Sequence, residues 1–394
     1  MREQYLGDDA FRRSALEASL ENPRNTYSKQ RLGSYGLKNR GWDALPVWNP
    51  RSRPYGDERA LDTPLWDGKK PATPAEWEKL GSEVFFHYPL RAEPLAEWAV
   101  KNPELAADCG IERLPDGAWP GLVRFADIDG RERVGITCAL CHTSVRDGRL
   151  VVGAARRNFD YGRLRLAFRA GTGTTEDPEL MRRMKSWGPG RADVTEDVDE
   201  DPVAIPDLWA LRELEAFTQA GTIKHTGPVA LAIRQETQLL HSNHERVRPP
   251  RELAWALAMY LYSIRPPPTR GEPTAEAARG AKLFAGGCAS CHSGAGLSGP
   301  LVPVLELKVD AALANGAARG TGRYRPPALV RVGDAAPYFH HGAVRTLDDV
   351  MSPERLEASF SRGVLGPGPV PGHAYGTDWP AEDRAAVVAF LRTL

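Results

Sequence analysis

Cysteine is scarce in this sequence, five in 394 residues, which excludes a small module stapled by a dense disulfide framework. Net charge is missing too. With 51 basic residues against 51 acidic ones, nothing points to nucleic acid or an anionic membrane surface as a partner. No apolar run approaches the length of a membrane span, and residues 1–20 lack the apolar stretch of a secretory signal. Glycine and proline, by contrast, are plentiful at 38 and 33 residues. They imply long irregular connections between modest helices. The length allows two or three domains, each with its own core.

Four of the five cysteines fall into two copies of one pattern. Cys138-Ala139-Leu140-Cys141-His142 and Cys288-Ala289-Ser290-Cys291-His292 both read C-x-x-C-H, the attachment motif for c-type haem. The spacing has a chemical reason: two sulfurs must reach opposite sides of one porphyrin edge while the next side chain swings under the iron. A tetrathiolate zinc site is the alternative, but its cysteine pairs usually lie roughly 15–20 residues apart, against about 150 here. A thioredoxin-like pair would need no histidine and would not occur twice. Two covalently bound haem c groups are therefore expected, on Cys138, Cys141, Cys288 and Cys291, with His142 and His292 as proximal iron ligands. Cys109 has no disulfide partner left and reads as a buried, inert thiol. Haem is attached to this motif on the outer side of the bacterial cytoplasmic membrane. The expectation is thus a periplasmic or secreted protein whose leader has been removed.

Three regions emerge along the chain. Residues 1–73 are rich in Trp, Tyr, Pro and Arg (Gly41-Trp42-Asp43, Pro46 to Pro50, Arg53-Pro54-Tyr55) and lack sustained periodicity. They read as an extended or loop-rich extension packed by its aromatics on the domains that follow. Residues 74–265 form the first haem domain. Thr73-Pro74 opens a helix running to Tyr88, with Thr as N-cap and Pro at the first helical position. Residues 122–127 and 133–136 look like a hairpin leading into the first motif, and residues 144–152 like a second one after it. The acidic run Glu196–Asp201 reads as a solvated loop. Helical periodicity recurs near 160–170, 208–220, 228–240 and 252–264. Arg265-Pro266-Pro267-Pro268 marks a boundary. Residues 266–394 form the second haem domain, whose helix at 273–284 enters the motif and whose helix at 380–394 closes the chain. Helix, haem motif, loops and closing helix thus occur twice, as in a cytochrome c domain. The expected fold is mainly α: two cytochrome c-like haem domains with long loops and a few short β-hairpins.

Tyr324-Arg325-Pro326-Pro327-Ala328-Leu329 and Ala336-Pro337-Tyr338-Phe339-His340-His341-Gly342-Ala343-Val344 resemble the C-terminal haem domain of the bacterial dihaem cytochrome c peroxidases. That superfamily also contains the dihaem maturase of methylamine dehydrogenase and the dihaem rubber oxygenases, and the oxygenase-like branch is the most similar. Trp187-Gly188-Pro189-Gly190-Arg191, residues 346–354 and Gly372-His373-Ala374-Tyr375 extend the likeness. It covers roughly residues 74–394 and leaves 1–73 outside. The resemblance implies facing haem domains, a tryptophan at Trp187 that helps electrons pass, and a calcium ion on the Ala335 and Pro337 carbonyls.

The sixth iron ligand decides function, because a second strong ligand makes an electron-transfer haem and an open position a reactive one. At the C-terminal haem the candidates are Met351, His340, His341 and His373. The peroxidases' methionine would fall on Glu354, and Met351, about one turn early, reads as core. His373, in a loop shortly before the last helix, is the favoured ligand. At the N-terminal haem His225 could reach iron and Glu236 could serve as acid–base group; His241 and His244 read as solvent-facing. The functional expectation is a periplasmic haem-dependent oxidoreductase. Electrons from a small redox protein or quinol-derived donor would enter at the C-terminal haem and pass to the N-terminal one, which reduces peroxide or activates dioxygen. A pure electron carrier with both irons six-coordinate is the alternative.

Overall fold

The computed structural model describes residues 1–36, 44–175, 177–193, 202–269 and 274–394. Trp42 and the acidic run Glu196–Asp201 therefore lie outside the described residues. The chain is mainly helical, with one four-stranded antiparallel sheet and several two-stranded ribbons.

Two helix pairs give the molecule its frame. Pro74–His87 packs on Arg251–Ser263, and Ala275–Gly287 packs on Ala381–Leu391. The first helix starts where a capping box forms: the Glu76 amide donates to Thr73 Oγ1 and the Thr73 amide donates to Glu76 Oε2. Its partner ends at Ser263, just before Arg265 and the prolines. In the second pair Thr274 caps through the Ala277 amide at 3.0 Å.

Each crossing is made at a glycine. A Cβ on Gly81 would fall onto the Ala256 carbonyl and the Tyr260 Cβ. A Cβ on Gly280 would fall onto the Ala386 carbonyl and lie 3.0 Å from the Phe390 Cβ. In both pairs the glycine meets a backbone carbonyl and an aromatic residue four positions later. Without a side chain the helices approach at backbone contact. The repeat read faintly in the sequence is thus a repeat of packing geometry.

One apolar cluster surrounds the first pair (Trp77, Phe85, Trp255, Leu257) and another the second (Phe284, Val387, Val388, Leu391), with Met351 packed in the latter. The hairpin leading into the first motif pairs Leu122–Ala126 with Glu132–Ile136, and Ser52–Pro54 and Arg91–Ala92 complete that sheet. The second hairpin turns at Asp147-Gly148, both with positive φ, as a tight two-residue turn requires.

Two expectations are corrected. The N-terminal region is not loop-rich throughout: Arg2–Gly7, Asp9–Ser19 and Thr26–Gly36 are helices. Asp8 caps the second through the Phe11 amide, and Tyr5, Leu16, Leu20 and Tyr27 are buried in the first domain's core. The aromatic segment after them does pack as expected, with Trp48 edge-on to Tyr88 and Phe125. Residues 208–220 hold only a short 3-10 turn, Leu211–Glu213, followed by the strand Ala216–Phe217 paired with Ile223–Lys224. Left-handed backbone at Ala210 and Thr218 breaks any helix there.

Candidate haem sites

At the first motif, Ala139–His142 forms one helical turn and Thr143 leaves it as a strand. His142 Nδ1 donates to the Pro206 carbonyl at 3.1 Å. Fixing Nδ1 this way leaves Nε2 as the free, unprotonated nitrogen, the tautomer a metal needs. Burial drives His142 down to about 4 and the Cys138 thiol up to about 12. The second motif repeats the device, His292 Nδ1 donating to the Leu297 carbonyl at 3.1 Å. Among the described residues no three His, Cys, Asp or Glu side chains gather to hold a metal ion. The four motif cysteines therefore do not form one zinc centre.

A cavity opens beside the second motif. It is lined by Cys288, Cys291 and His292, by Phe284, Leu347 and Val387, and by His373. Its lining is mostly apolar, with Val302, Leu329, Val332 and Leu391 among the residues that face it. The His292 and His373 ring centres are 6.3 Å apart, with planes at 72°. Two imidazoles bound through nitrogen to one metal at about 2 Å each have ring centres about 6 Å apart. The residues present therefore fit a haem attached at Cys288 and Cys291, with His292 and His373 spaced so that both could hold its iron.

The loop that carries His373 is built for that position. Gly372 and His373 both have positive φ, and a Cβ on Gly372 would strike the Val309 backbone. The His373 amide donates to the Leu307 carbonyl at 2.8 Å. Both contacts hold the loop against the segment Leu307–Val309. Arg355, fully buried, then clasps the loop from behind. Its Nη1 donates to the Val370 and Gly372 carbonyls at 2.7 and 2.8 Å, its Nη2 to the His373 carbonyl at 2.7 Å, and its Nε to the Val350 carbonyl. Sequence reasoning missed Arg355. Its only signal was an arginine just after Ser352-Pro353, beside the segment that carries the resemblance.

His340 and His341 stack on each other at 4.3 Å, and His340 also stacks on Tyr324 and bonds its hydroxyl at 3.1 Å. Burial drives them down to about 3 and about 4. His340 lines the cavity wall, and His373 is the imidazole that faces His292.

Other expected site residues are placed elsewhere. Both ring nitrogens of His225 are engaged, Nδ1 with the Leu214 carbonyl and Nε2 with the Tyr262 hydroxyl, so neither is free for iron. Glu236, expected as an acid–base group, is instead the buried centre of a structural network. It accepts from the Tyr5 hydroxyl at 2.8 Å and pairs with Arg251 at 3.5 Å. His241 is not solvent-facing, its side chain being 8% exposed, whereas His244 is exposed. Trp187 is buried and stacks on Tyr161 at 6.0 Å in the first domain; Arg191 of the same segment reaches across to the His341 carbonyl at 3.1 Å. For calcium, the Ala335 and Pro337 carbonyls supply two oxygens where the ion takes six to eight. Both residues line the cavity of the second motif.

One segment touches both sites. The Pro206 carbonyl holds His142, and Ile205, Pro206 and Asp207 line the cavity of the second motif.

No curated protein matches the chain significantly. Among solved structures, the chain is similar to a MauG-like protein associated with microbial copper homeostasis. The identity is 18%, the TM-score 0.36, and the match covers 54% of this chain and 79% of that one. It is also similar to hydrazine synthase of Kuenenia stuttgartiensis, at 14% identity and a TM-score of 0.36, covering 86% of this chain and 97% of that one. No helix among the described residues is long and apolar enough to cross a membrane. Residues 277–394 match the family model described as cytochrome c. This part of the chain, in which Cys288, Cys291 and His292 line a cavity, is similar to cytochrome c domains, and that likeness supports a covalent haem c there.

Proposed function

We propose that this chain is a periplasmic dihaem c-type oxidoreductase. It takes electrons from a small redox protein or quinol-derived donor at its C-terminal site and uses them at its N-terminal site to reduce peroxide or activate dioxygen. The observation that carries the reading is the contrast across the two imidazoles: His292 is faced by His373 at 6.3 Å, while the imidazole expected opposite His142, that of His225, has both nitrogens engaged. Haem bound at such sites supplies one-electron chemistry where both faces are ligated and peroxide or dioxygen chemistry where one is open.

The chain's own residues do the rest. Cys138, Cys141, Cys288 and Cys291 fasten the groups, and His142 and His292 present Nε2 because backbone carbonyls hold Nδ1. Arg355 fixes His373 in place. Pro206, bonded to His142 and lining the second cavity, links the two sites through one hydrogen bond. Trp187, packed on Tyr161 in the first domain, is the aromatic contributor to that passage. Glu236, engaged by Tyr5 and Arg251, has no place in this reading.

Cyanide and peroxide titration of the purified holoprotein tests it. The expected result is a spectral change at one haem only, abolished when His142 is replaced and retained in His292 variants that still mature. A spectrum indifferent to both reagents in either oxidation state would make the chain an electron carrier.

A further inference from the structure

Three arginines from three distant parts of the chain converge on one buried tyrosine near the first motif. The Arg31 guanidinium lies 4.6 Å from the Tyr27 ring centre and that of Arg319 lies 5.0 Å from it. Tyr27, Arg31 and Arg319 are 6%, 4% and 8% exposed. Arg234 adds a third charge from the helix whose Thr237 carbonyl takes the Arg31 bond, and Tyr27 and Cys138 pack in one apolar cluster. The start of the helix Thr26–Gly36 is tied to the loop of Arg319 by the Thr26 amide to the Ala317 carbonyl and the Tyr27 amide to the Ala318 carbonyl, at 2.9 and 3.2 Å.

Charge balance is what sets this cluster apart. Arg31 gives one Nη1 bond to the Thr237 carbonyl at 2.8 Å, and Arg234 one to the Gln238 amide oxygen at 3.0 Å. Neither guanidinium has a carboxylate partner among the described residues, and Arg31 Nε is buried with no hydrogen-bond partner. The other buried arginine group in this half, around Arg251, has Glu236 at its centre. Burying positive charge without an anion is costly. The local potential is strong enough to be felt by its neighbours. Burial raises the Tyr27 phenol, yet Arg31, Arg234 and Arg319 outweigh it and bring the group below its ordinary value. Burial, then Arg31 and Arg234, push His241 down to about 3.

We propose that Arg31, Arg234 and Arg319, gathered round Tyr27 beside Cys138, form a carboxylate-binding seat belonging to the N-terminal haem site. Guanidinium forks match carboxylate geometry. The carboxylate is either a propionate of the attached group or a free anion entering the same space. The N-terminal helices then complete a haem site rather than merely cover a core, and the loop of Arg319 makes the C-terminal domain part of it. This rests on the reading that a haem is fastened at Cys138 and Cys141.

The test is spectroelectrochemical titration of the holoprotein and of its Arg31→Gln, Arg31→Lys and Arg319→Gln variants, with Arg149→Gln as an exposed control of equal charge change. Mass spectrometry first counts the haems; absence of one from Cys138 and Cys141 would overturn both the functional reading and the seat. With two present, R31Q and R319Q lower the midpoint potential of one haem alone, R31K restores most of the shift, and the control moves neither. Formate added to the wild type separates the sources: no spectral response means a propionate fills the seat, and a response lost in R31Q means a free carboxylate does. Potentials unchanged in both R31Q and R319Q, with formate responses identical to wild type, would overturn the seat alone.

Discussion

At Gly81 and at Gly280 the chain uses one packing device twice, and at His142 and His292 it uses one anchoring device twice, a backbone carbonyl on Nδ1. The halves part company on the other side of each imidazole. Opposite His292 stands His373 on a loop clasped by three Arg355 bonds. In the other half the imidazole of His225 has both nitrogens engaged, with the Leu214 carbonyl and the Tyr262 hydroxyl. On the proposed reading the same frame carries one site closed by a second imidazole and one left open. Function on this architecture is decided by what the loops bring to the second face, not by the helices that set the first.

The comparison breaks most completely if one motif is removed. Cys288→Ala with Cys291→Ala should leave a protein carrying one haem in place of two, read from the mass of the matured chain; retention of two would mean that the group is held elsewhere. Next in size is the replacement of His373. H373A should convert the C-terminal haem from low-spin to high-spin, visible in the optical and magnetic spectra, and an unchanged spectrum would return the ligand role to Met351. Arg355→Met should produce a mixture of the same two spin states, because the loop loses three carbonyl contacts while the imidazole stays on the chain.

The frame itself is tested at its glycines. Gly81→Ala and Gly280→Ala each force a methyl onto a helix carbonyl, an overpacking that costs about 1–3 kcal/mol. The melting temperature should fall in both variants and hold in Gly7→Ala, where nothing lies nearby. The smallest expected effect is at Glu236. E236Q should lower stability by disturbing Tyr5 and Arg251 but leave peroxide turnover unchanged; a large loss of turnover would restore its acid–base role.

Much of this was legible because local chemistry wrote it. The C-x-x-C-H pairs, the Thr73-Pro74 helix start with its capping glutamate, and the Asp147-Gly148 turn are all spelled by residues within a few positions of one another. Residues 208–220 misled because their helical periodicity is overruled by left-handed backbone at Ala210 and Thr218 and by pairing with Ile223–Lys224. The N-terminal helices had an Asp8 cap and apolar positions at Phe11, Leu16 and Leu20, but the Trp- and Pro-rich stretch after them set the reading. Arg355 and the arginines round Tyr27 were not readable at all. Their partners are backbone carbonyls and side chains brought together only by the fold, and an arginine gives no sign in sequence of which carbonyl it will bind.

The most direct measurement of the central claim is the low-temperature electron paramagnetic resonance spectrum of the fully oxidised holoprotein. The account predicts two ferric haems in equal amount, one low-spin from the His292–His373 pair and one high-spin at His142. Two low-spin signals, or the signal of a single haem, would contradict it.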